Sequence, residues 1–174
     1  MKKGILVLLI SLSLKSAAQN EFAATAFYTS LREFYTDAQN GFVVSKGTKI
    51  PENPNTFTDE YSVKSLLPLA DSGKIVWPLL GNPYVVFYLE TAKRIEEAEK
   101  RAGNLREVIE KVFNQRFFIM TESRREGASY FTDSYFYTNQ QETRKFKACF
   151  RITVLSENNR YKMQFEIRGN DATL

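Results

Sequence analysis

Two segments near the C-terminus alternate between apolar and polar residues, and this pattern constrains the fold more than any other feature of the chain. The apolar positions are Phe146, Ala148, Phe150, Ile152 and Val154 in the first segment, and Tyr161, Met163, Phe165 and Ile167 in the second. Successive side chains of a β-strand point to opposite faces, so the pattern predicts two adjacent strands with one apolar and one polar face. Phe150 and Phe165 are expected to be buried on the same face, and Lys147 and Glu166 to lie in solvent.

Two longer segments, residues 21–39 and 91–114, carry apolar residues at helical spacing. Gly103 lies in the middle of the second segment and costs about 1 kcal/mol relative to alanine. The apolar face continues through Gly103, which favours one long helix over two helices joined at this glycine.

The remaining segments predict a sheet. Strands are expected at residues 42–44, 61–66, 74–77, 84–89, 116–123 and 128–138, with turns at 71–73, 81–83 and 124–127. The fold class is therefore α+β: a mostly antiparallel sheet with a C-terminal four-strand meander, packed against an N-terminal helix and one long central helix.

The first eighteen residues have the pattern of a secretory signal peptide. Lys2 and Lys3 precede an apolar run of eleven residues, and small residues stand at Ser16 and Ala18. The run is too short to span a bilayer. Cleavage before Gln19 is expected to leave one soluble domain, residues 19–174, frayed from about residue 169 and located in the periplasm or outside the cell.

Composition excludes several classes of function. The formal charge of +4 falls to +1 without the three lysines of the signal, so no nucleic-acid partner is expected. Without histidine, Ser-His-Asp and Cys-His catalysis and histidine-ligated zinc are excluded. With one cysteine there is no internal disulfide, so the core, which can draw on 24 aromatic residues, must stabilise the domain. No metal or cofactor is expected.

Two features resemble functional groups but have simpler explanations. Cys149 has cationic neighbours at Lys147 and Arg151, which would favour a reactive thiolate, but no histidine or second cysteine accompanies it. We interpret it as a structural cysteine, with intermolecular pairing as the alternative. The glutamates of the central helix stand four residues from lysine or arginine, as on an ordinary exposed helix face.

The segment SYFTDSYFY, residues 129–137, has aromatic side chains at both alternating sets of positions. Either both faces of this strand are buried, or one face is an aromatic binding surface. In the second case the candidate site residues are Phe131, Asp133, Tyr135 and Tyr137, with Arg124 and Arg125 at the preceding turn framing the surface.

These observations favour an exported, non-enzymatic domain that binds a protein or an envelope component. One alternative is a binder of small apolar ligands with a pocket between the sheet and the helices, lined by Phe, Tyr and Trp77. A second alternative is a carboxylate-based hydrolase, for which the sequence pairs no two acids.

Overall fold

The computed structural model describes residues 20–51, 58–140, 147–157 and 160–169, except for the side chains of residues 90 and 91. The predicted signal peptide, the tail after residue 169 and the strand position Phe146 lie outside the described residues. The helices are α1 (Thr25–Gln39) and α2 (Ile95–Phe113). The strands are β1 (Lys46–Lys49), β2 (Thr58–Val63), β3 (Ala70–Pro78), β4 (Tyr84–Ala92), β5 (Phe118–Glu126), β6 (Ser129–Tyr137), β7 (Phe150–Glu157) and β8 (Arg160–Arg168).

All eight strands form one antiparallel sheet in the order β1-β2-β3-β4-β8-β7-β6-β5. The order divides into two meanders of four strands, β1–β4 and β5–β8, which join where β4 pairs with β8. The chain passes from the first meander to the second through α2. The fold is therefore mixed α+β and mostly sheet, and the predicted C-terminal meander is confirmed.

One face of the sheet, here called the inner face, forms the main core together with both helices. Helix α1 contributes Phe27, Leu31 and Phe34, and helix α2 contributes Leu105 and Ile109. From the sheet, the fully buried side chains of the inner face include Phe87, Phe136, Phe150 and Phe165. The Phe150 and Phe165 rings stack with their centroids 5.9 Å apart on the neighbouring strands β7 and β8, which confirms the predicted apolar face of this pair.

Helix α2 runs unbroken through Gly103, as the continuous apolar face predicts. It ends at Asn114, which adopts the left-handed conformation (φ +48°) and whose backbone N–H donates to the helix carbonyls. Gly103 has a helical backbone, and a Cβ atom there would meet nothing within 4 Å. Neither backbone geometry nor close packing therefore requires glycine at this position.

The predicted strand at residues 42–44 is wrong, because the end of α1 imposes a turn there. Phe42 has a φ of +58° and is fully buried. The buried carboxylate of Asp37 accepts hydrogen bonds from the backbone N–H groups of Val44 (2.9 Å) and Ser45 (2.6 Å). These bonds satisfy the backbone of the turn and delay the first strand until Lys46.

The predicted turns at 71–73 and 124–127 are also corrected. Residues 71–73 lie inside β3, where a Cβ on Gly73 would come within 2.8 Å of the Phe87 ring. Glycine is needed there for the close approach of a ring and not for a turn. Strand β5 continues to Glu126, so Arg124 and Arg125 are strand residues. The reversal follows at Gly127, whose φ of +59° suits glycine.

Candidate functional site

The sheet face opposite the helices, here called the outer face, holds five of the six residues predicted for the binding surface. Phe131, Asp133, Tyr135 and Tyr137 occupy alternate positions of β6, and Arg124 of β5 lies directly opposite Phe131. Arg125 pairs instead with Tyr130, which places it on the inner face. The structure thus brings Arg124 to the predicted surface and directs Arg125 away from it.

Burial divides these residues into two groups. Tyr135 and Tyr137 are buried and form a small cluster with Ala148 and Met120. Phe131 is half-buried, and 39% of the Arg124 side chain is exposed. Both faces of β6 are therefore buried towards its C-terminal end, and a partner could reach this strand at Phe131 and Arg124.

Asp133 is the first of two buried carboxylates on the outer face, with an exposed fraction of 1%. Its Oδ2 accepts a hydrogen bond from Arg124 Nε (3.0 Å), and its Oδ1 accepts one from the Thr153 hydroxyl (2.6 Å). Arg151 Nε lies 4.0 Å from the same Oδ1 atom. Asp133 thereby connects β5, β6 and β7, and it fixes the position of the partly exposed Arg124.

Glu166 of β8 is the second buried carboxylate, and it is also 1% exposed. One oxygen accepts a hydrogen bond from Arg151, its cross-strand neighbour, and the other accepts one from Arg168 Nη2 at 2.7 Å. The expectation that Glu166 lies in solvent is wrong, because Glu166 is buried and Arg151 and Arg168 lie against its carboxylate.

Arg151 connects the two carboxylates. Burial acts to lower the pKa of Arg151. The charge of Glu166, the hydrogen bond that Arg151 donates to Tyr135 and the charge of Asp133 together outweigh burial and raise the pKa. The guanidinium is therefore held as a cation between two buried acids. The sequence carried a signal for this network, since Arg151 and Glu166 both stand at polar positions of two strands joined by a short turn.

Three arginines of the outer face also lie against aromatic rings. The guanidinium carbon of Arg124 is 4.0 Å from the centroid of Phe131, that of Arg168 is 4.9 Å from Tyr84, and that of Arg151 is 5.8 Å from Tyr135. Cation–π contact of this kind is favourable within about 6 Å. Sequence reasoning missed Tyr84, because β4 lies four strands before β8 in the chain and becomes its neighbour only in the folded sheet.

Tyr84 and Lys74 extend the polar surface towards the first meander. Burial raises the pKa of Tyr84, and the charge of Glu166 adds to this effect against the opposing cations. Burial lowers the pKa of Lys74, but a hydrogen bond to Glu60 (2.6 Å) and the electrostatic effects of Tyr88, Glu60 and Tyr84 together outweigh burial and leave the pKa raised. Ion pairs therefore occur on the outer face from β2 to β5.

A cleft between α2 and the inner face bears on the small-ligand alternative. Its volume is about 210 Å³, and its lining consists of Ile95, Glu99, Ala102, Gly103, Arg106, Thr132, Ser134, Phe136, Ile152 and Val154. Trp77 and the tyrosines do not line it, contrary to the sequence expectation. The Trp77 ring packs against Tyr61, and Lys46 lies 4.6 Å from its centroid.

The other singled-out residue, Cys149, is fully buried in the main core immediately before β7. The alternation of faces breaks here, since Cys149 and Phe150 both join that core while Arg151 lies on the outer face. Burial raises the pKa of the adjacent Tyr35 phenol, and Cys149 raises it further. The position of Cys149 suits the structural role and not a reactive thiol.

A second cavity, of about 670 Å³, opens beside the C-terminal end of α1 and is lined mainly by polar side chains. Within residues 20–51, 58–140, 147–157 and 160–169, no three metal-ligating side chains of His, Cys, Asp or Glu come together. In the same ranges neither helix combines the length and apolar character that a membrane span requires.

No family model, curated protein or solved structure matches the chain.

Proposed function

We propose that this protein is an exported, non-enzymatic domain that binds a protein or envelope component through the outer face of its sheet. The observation that carries the proposal is the set of three arginine–aromatic pairs, held in place by Asp133 and Glu166 on a face that neither helix covers. Arginine and aromatic residues are the types most enriched at the energetic centres of protein interfaces.

Preorganisation is the physical reason that this surface suits binding. A free arginine side chain loses rotamer freedom when a partner immobilises it. Arg124 is already fixed by Asp133 and stacked on Phe131, although 39% of its side chain remains exposed. A partner therefore meets an ordered Arg124–Glu126 ion pair and an aromatic ring at low entropic cost.

Charge indicates the chemistry of the partner. Three arginines and three carboxylates form this network, because Arg124 pairs with the exposed Glu126 as well as with Asp133, so its formal charges balance. Two of the carboxylates are buried and direct their oxygens at arginines or at Thr153. The accessible groups are the Arg124–Glu126 ion pair and the Phe131 ring, which favours a partner that presents polar groups of both charges beside apolar groups.

The same arrangement argues against the hydrolase alternative. A general acid or nucleophile must reach the substrate. Asp133 and Glu166 are nearly inaccessible, and their oxygens accept hydrogen bonds from Arg124, Thr153, Arg151 and Arg168. The pair is suited to organising the surface and not to catalysis.

The export part of the proposal rests on residues 1–18, which show the basic start, apolar run and small residues of a signal peptide.

Two neighbouring pairs of residues allow a controlled test. Phe131 and Arg124 lie on the outer face, whereas Tyr130 and Arg125 lie opposite each other on the inner face of the same two strands. We expect Phe131→Ala and Arg124→Ala to weaken binding by at least about 10-fold each, as anchor residues do. Tyr130→Ala and Arg125→Ala should leave binding unchanged. The partner is first captured from envelope extract of the producing organism, and affinities are then measured with the purified partner by titration calorimetry.

Thermal melts of all four variants accompany these titrations. The proposal would be contradicted if variants on both faces weakened the affinity for the partner equally. It would also be contradicted if the outer-face variants stayed folded and kept their full affinity. Because Arg124 contacts Asp133, Arg124→Lys provides a second outer-face variant. It retains the charge but loses the planar guanidinium, and it should recover only part of the affinity.

A further inference from the structure

The turn that joins β3 to β4 exposes two consecutive leucines. The exposed fraction is 78% for Leu79 and 88% for Leu80, the two largest values among the large apolar side chains of the described residues. Side chains that remain this exposed contribute little to the core. Residues 78–83, here called the hairpin tip, therefore carry apolar side chains that the folding of the domain does not explain.

Strand register places the hairpin tip at one end of the sheet, beyond its neighbours. The described part of β2 pairs with β3 as far as Pro78, and β8 pairs with β4 as far as Tyr84. Leu79 and Leu80 come after the last pair on one side and before the first pair on the other. Among the described residues they have no strand partner, and their side chains point into solvent.

The composition of the hairpin suits an apolar solvent. Residues 75–89 include no charged side chain, so entry of the tip into lipid would carry no charge with it. Pro78 and Pro83, at the two ends of the tip, lack a backbone N–H, so fewer donors lose their water there. Moving this backbone out of water therefore costs less than moving an ordinary polar turn.

An aromatic ring and a cation stand on each side of the tip. Trp77 precedes the tip, and Lys46 Nζ lies 4.6 Å from its ring centroid. Tyr84 follows the tip, and the guanidinium carbon of Arg168 lies 4.9 Å from its ring centroid. Because Tyr84 pairs with Val76, the two half-buried rings lie on opposite faces at the same end of the sheet. Tryptophan and tyrosine concentrate at the level of lipid headgroups, and cationic side chains are attracted to the lipid surface.

We propose that the hairpin tip inserts into the surface of a phospholipid bilayer. The side chains of Leu79 and Leu80 enter the acyl region. The rings of Trp77 and Tyr84 lie among the headgroups, and Lys46 contacts lipid phosphates. A lipid surface fits better than a protein groove, because leucine is under-represented among the anchor residues of protein interfaces. The insertion uses the end of the sheet and so goes beyond the function proposed for its outer face.

Trp77 is the only tryptophan of the chain, so its fluorescence reports directly on the hairpin. The protein, purified in the form that cells export, is titrated with vesicles of phosphatidylcholine and phosphatidylglycerol. The vesicles are made with or without bromine atoms on the acyl chains, since bromine quenches tryptophan at short range. We expect the brominated vesicles to quench the Trp77 emission and the unbrominated vesicles to shift it to shorter wavelength.

Substitutions in the tip test whether the leucines carry the binding. Leu79→Ser and Leu80→Ser should each weaken vesicle binding at least about 10-fold, and the double variant should abolish quenching. The melting temperature should stay nearly the same, because both side chains are exposed. The matched control is Val43→Ser/Val44→Ser, since these adjacent valines are 72% and 73% exposed but belong to the turn after α1. The control should bind vesicles as the unchanged protein does.

Three outcomes would overturn the proposal. The first is no quenching by brominated vesicles, including the case in which the leucine variants instead lose a protein partner from envelope extract. The second is quenching that persists in the double leucine variant, because another segment, such as residues 1–18, would then bind the lipid. The third is equal weakening by the valine control. The leucine variants change neither Phe131 nor Arg124, so affinity for an outer-face partner should stay the same, and either proposal can fail without the other.

Discussion

Glu166→Ala is expected to lower the free energy of unfolding by about 3–5 kcal/mol, the usual cost of removing one partner from a buried ion pair. The substitution leaves Arg151 and Arg168 without the carboxylate that accepts their hydrogen bonds. Arg151 is three-quarters or more shielded from solvent, so water cannot fully replace the lost partner. Urea denaturation of the purified domain gives the free energy directly.

Glu157 provides a matched control. It belongs to the same β7–β8 hairpin and pairs with Lys162 at 3.1 Å, but both of those side chains are largely exposed. Glu157→Ala should cost less than about 1 kcal/mol, as surface ion pairs do. If the two glutamate variants lose the same small amount of stability, Glu166 is not the buried organiser of the outer face.

Phe150→Ala and Phe165→Ala are each expected to cost about 3–5 kcal/mol and to lower the melting temperature by roughly 10 °C. Both rings are fully buried in the main core and stack on each other, and Phe150 also contacts Phe113 and Phe117. The double variant should lose less than the sum of the single losses, because each single change already removes the stacking contact.

Phe118→Ala is the control for this second prediction. Phe118 is also a strand phenylalanine, but it lies on the edge strand β5 and more than a third of it is exposed. Its removal should cost clearly less than the loss of either buried ring. Additive losses in the double variant, or a loss at Phe118 as large as at Phe150, would show that the two buried rings do not form the centre of the core.

Periodicity predicted the elements whose signal is local. The alternation around Phe150 and Phe165 identified β7, β8 and their apolar face, and the helical spacing identified α2 through Gly103. In each case the pattern reports which side of an element faces the core. That face is fixed by the period of the backbone and does not depend on distant parts of the chain.

The errors arose where tertiary contacts decide the outcome. Alternation placed Glu166 on the polar face, but it could not show that Arg151 of β7 and Arg168 of the same strand would lie against its carboxylate. Gly73 resembles a turn residue in sequence, and only the position of Phe87 shows why it stands inside a strand. Arg125 was grouped with Arg124 because the turn was placed too early. Extending β5 through Glu126 separates the two arginines onto opposite faces.

The central claim, that the outer face is the binding surface, is tested most directly by photo-cross-linking from adjacent residues. A photoreactive phenylalanine analogue is placed at position 131 on the outer face or at position 130 on the inner face, where the native Tyr130 is 49% exposed. Each variant is irradiated in native envelope extract, and cross-linked proteins are identified by mass spectrometry. We predict a specific adduct from position 131 and none from position 130. An adduct from position 130 alone, or the same adducts from both positions, would contradict the assignment of binding to the outer face.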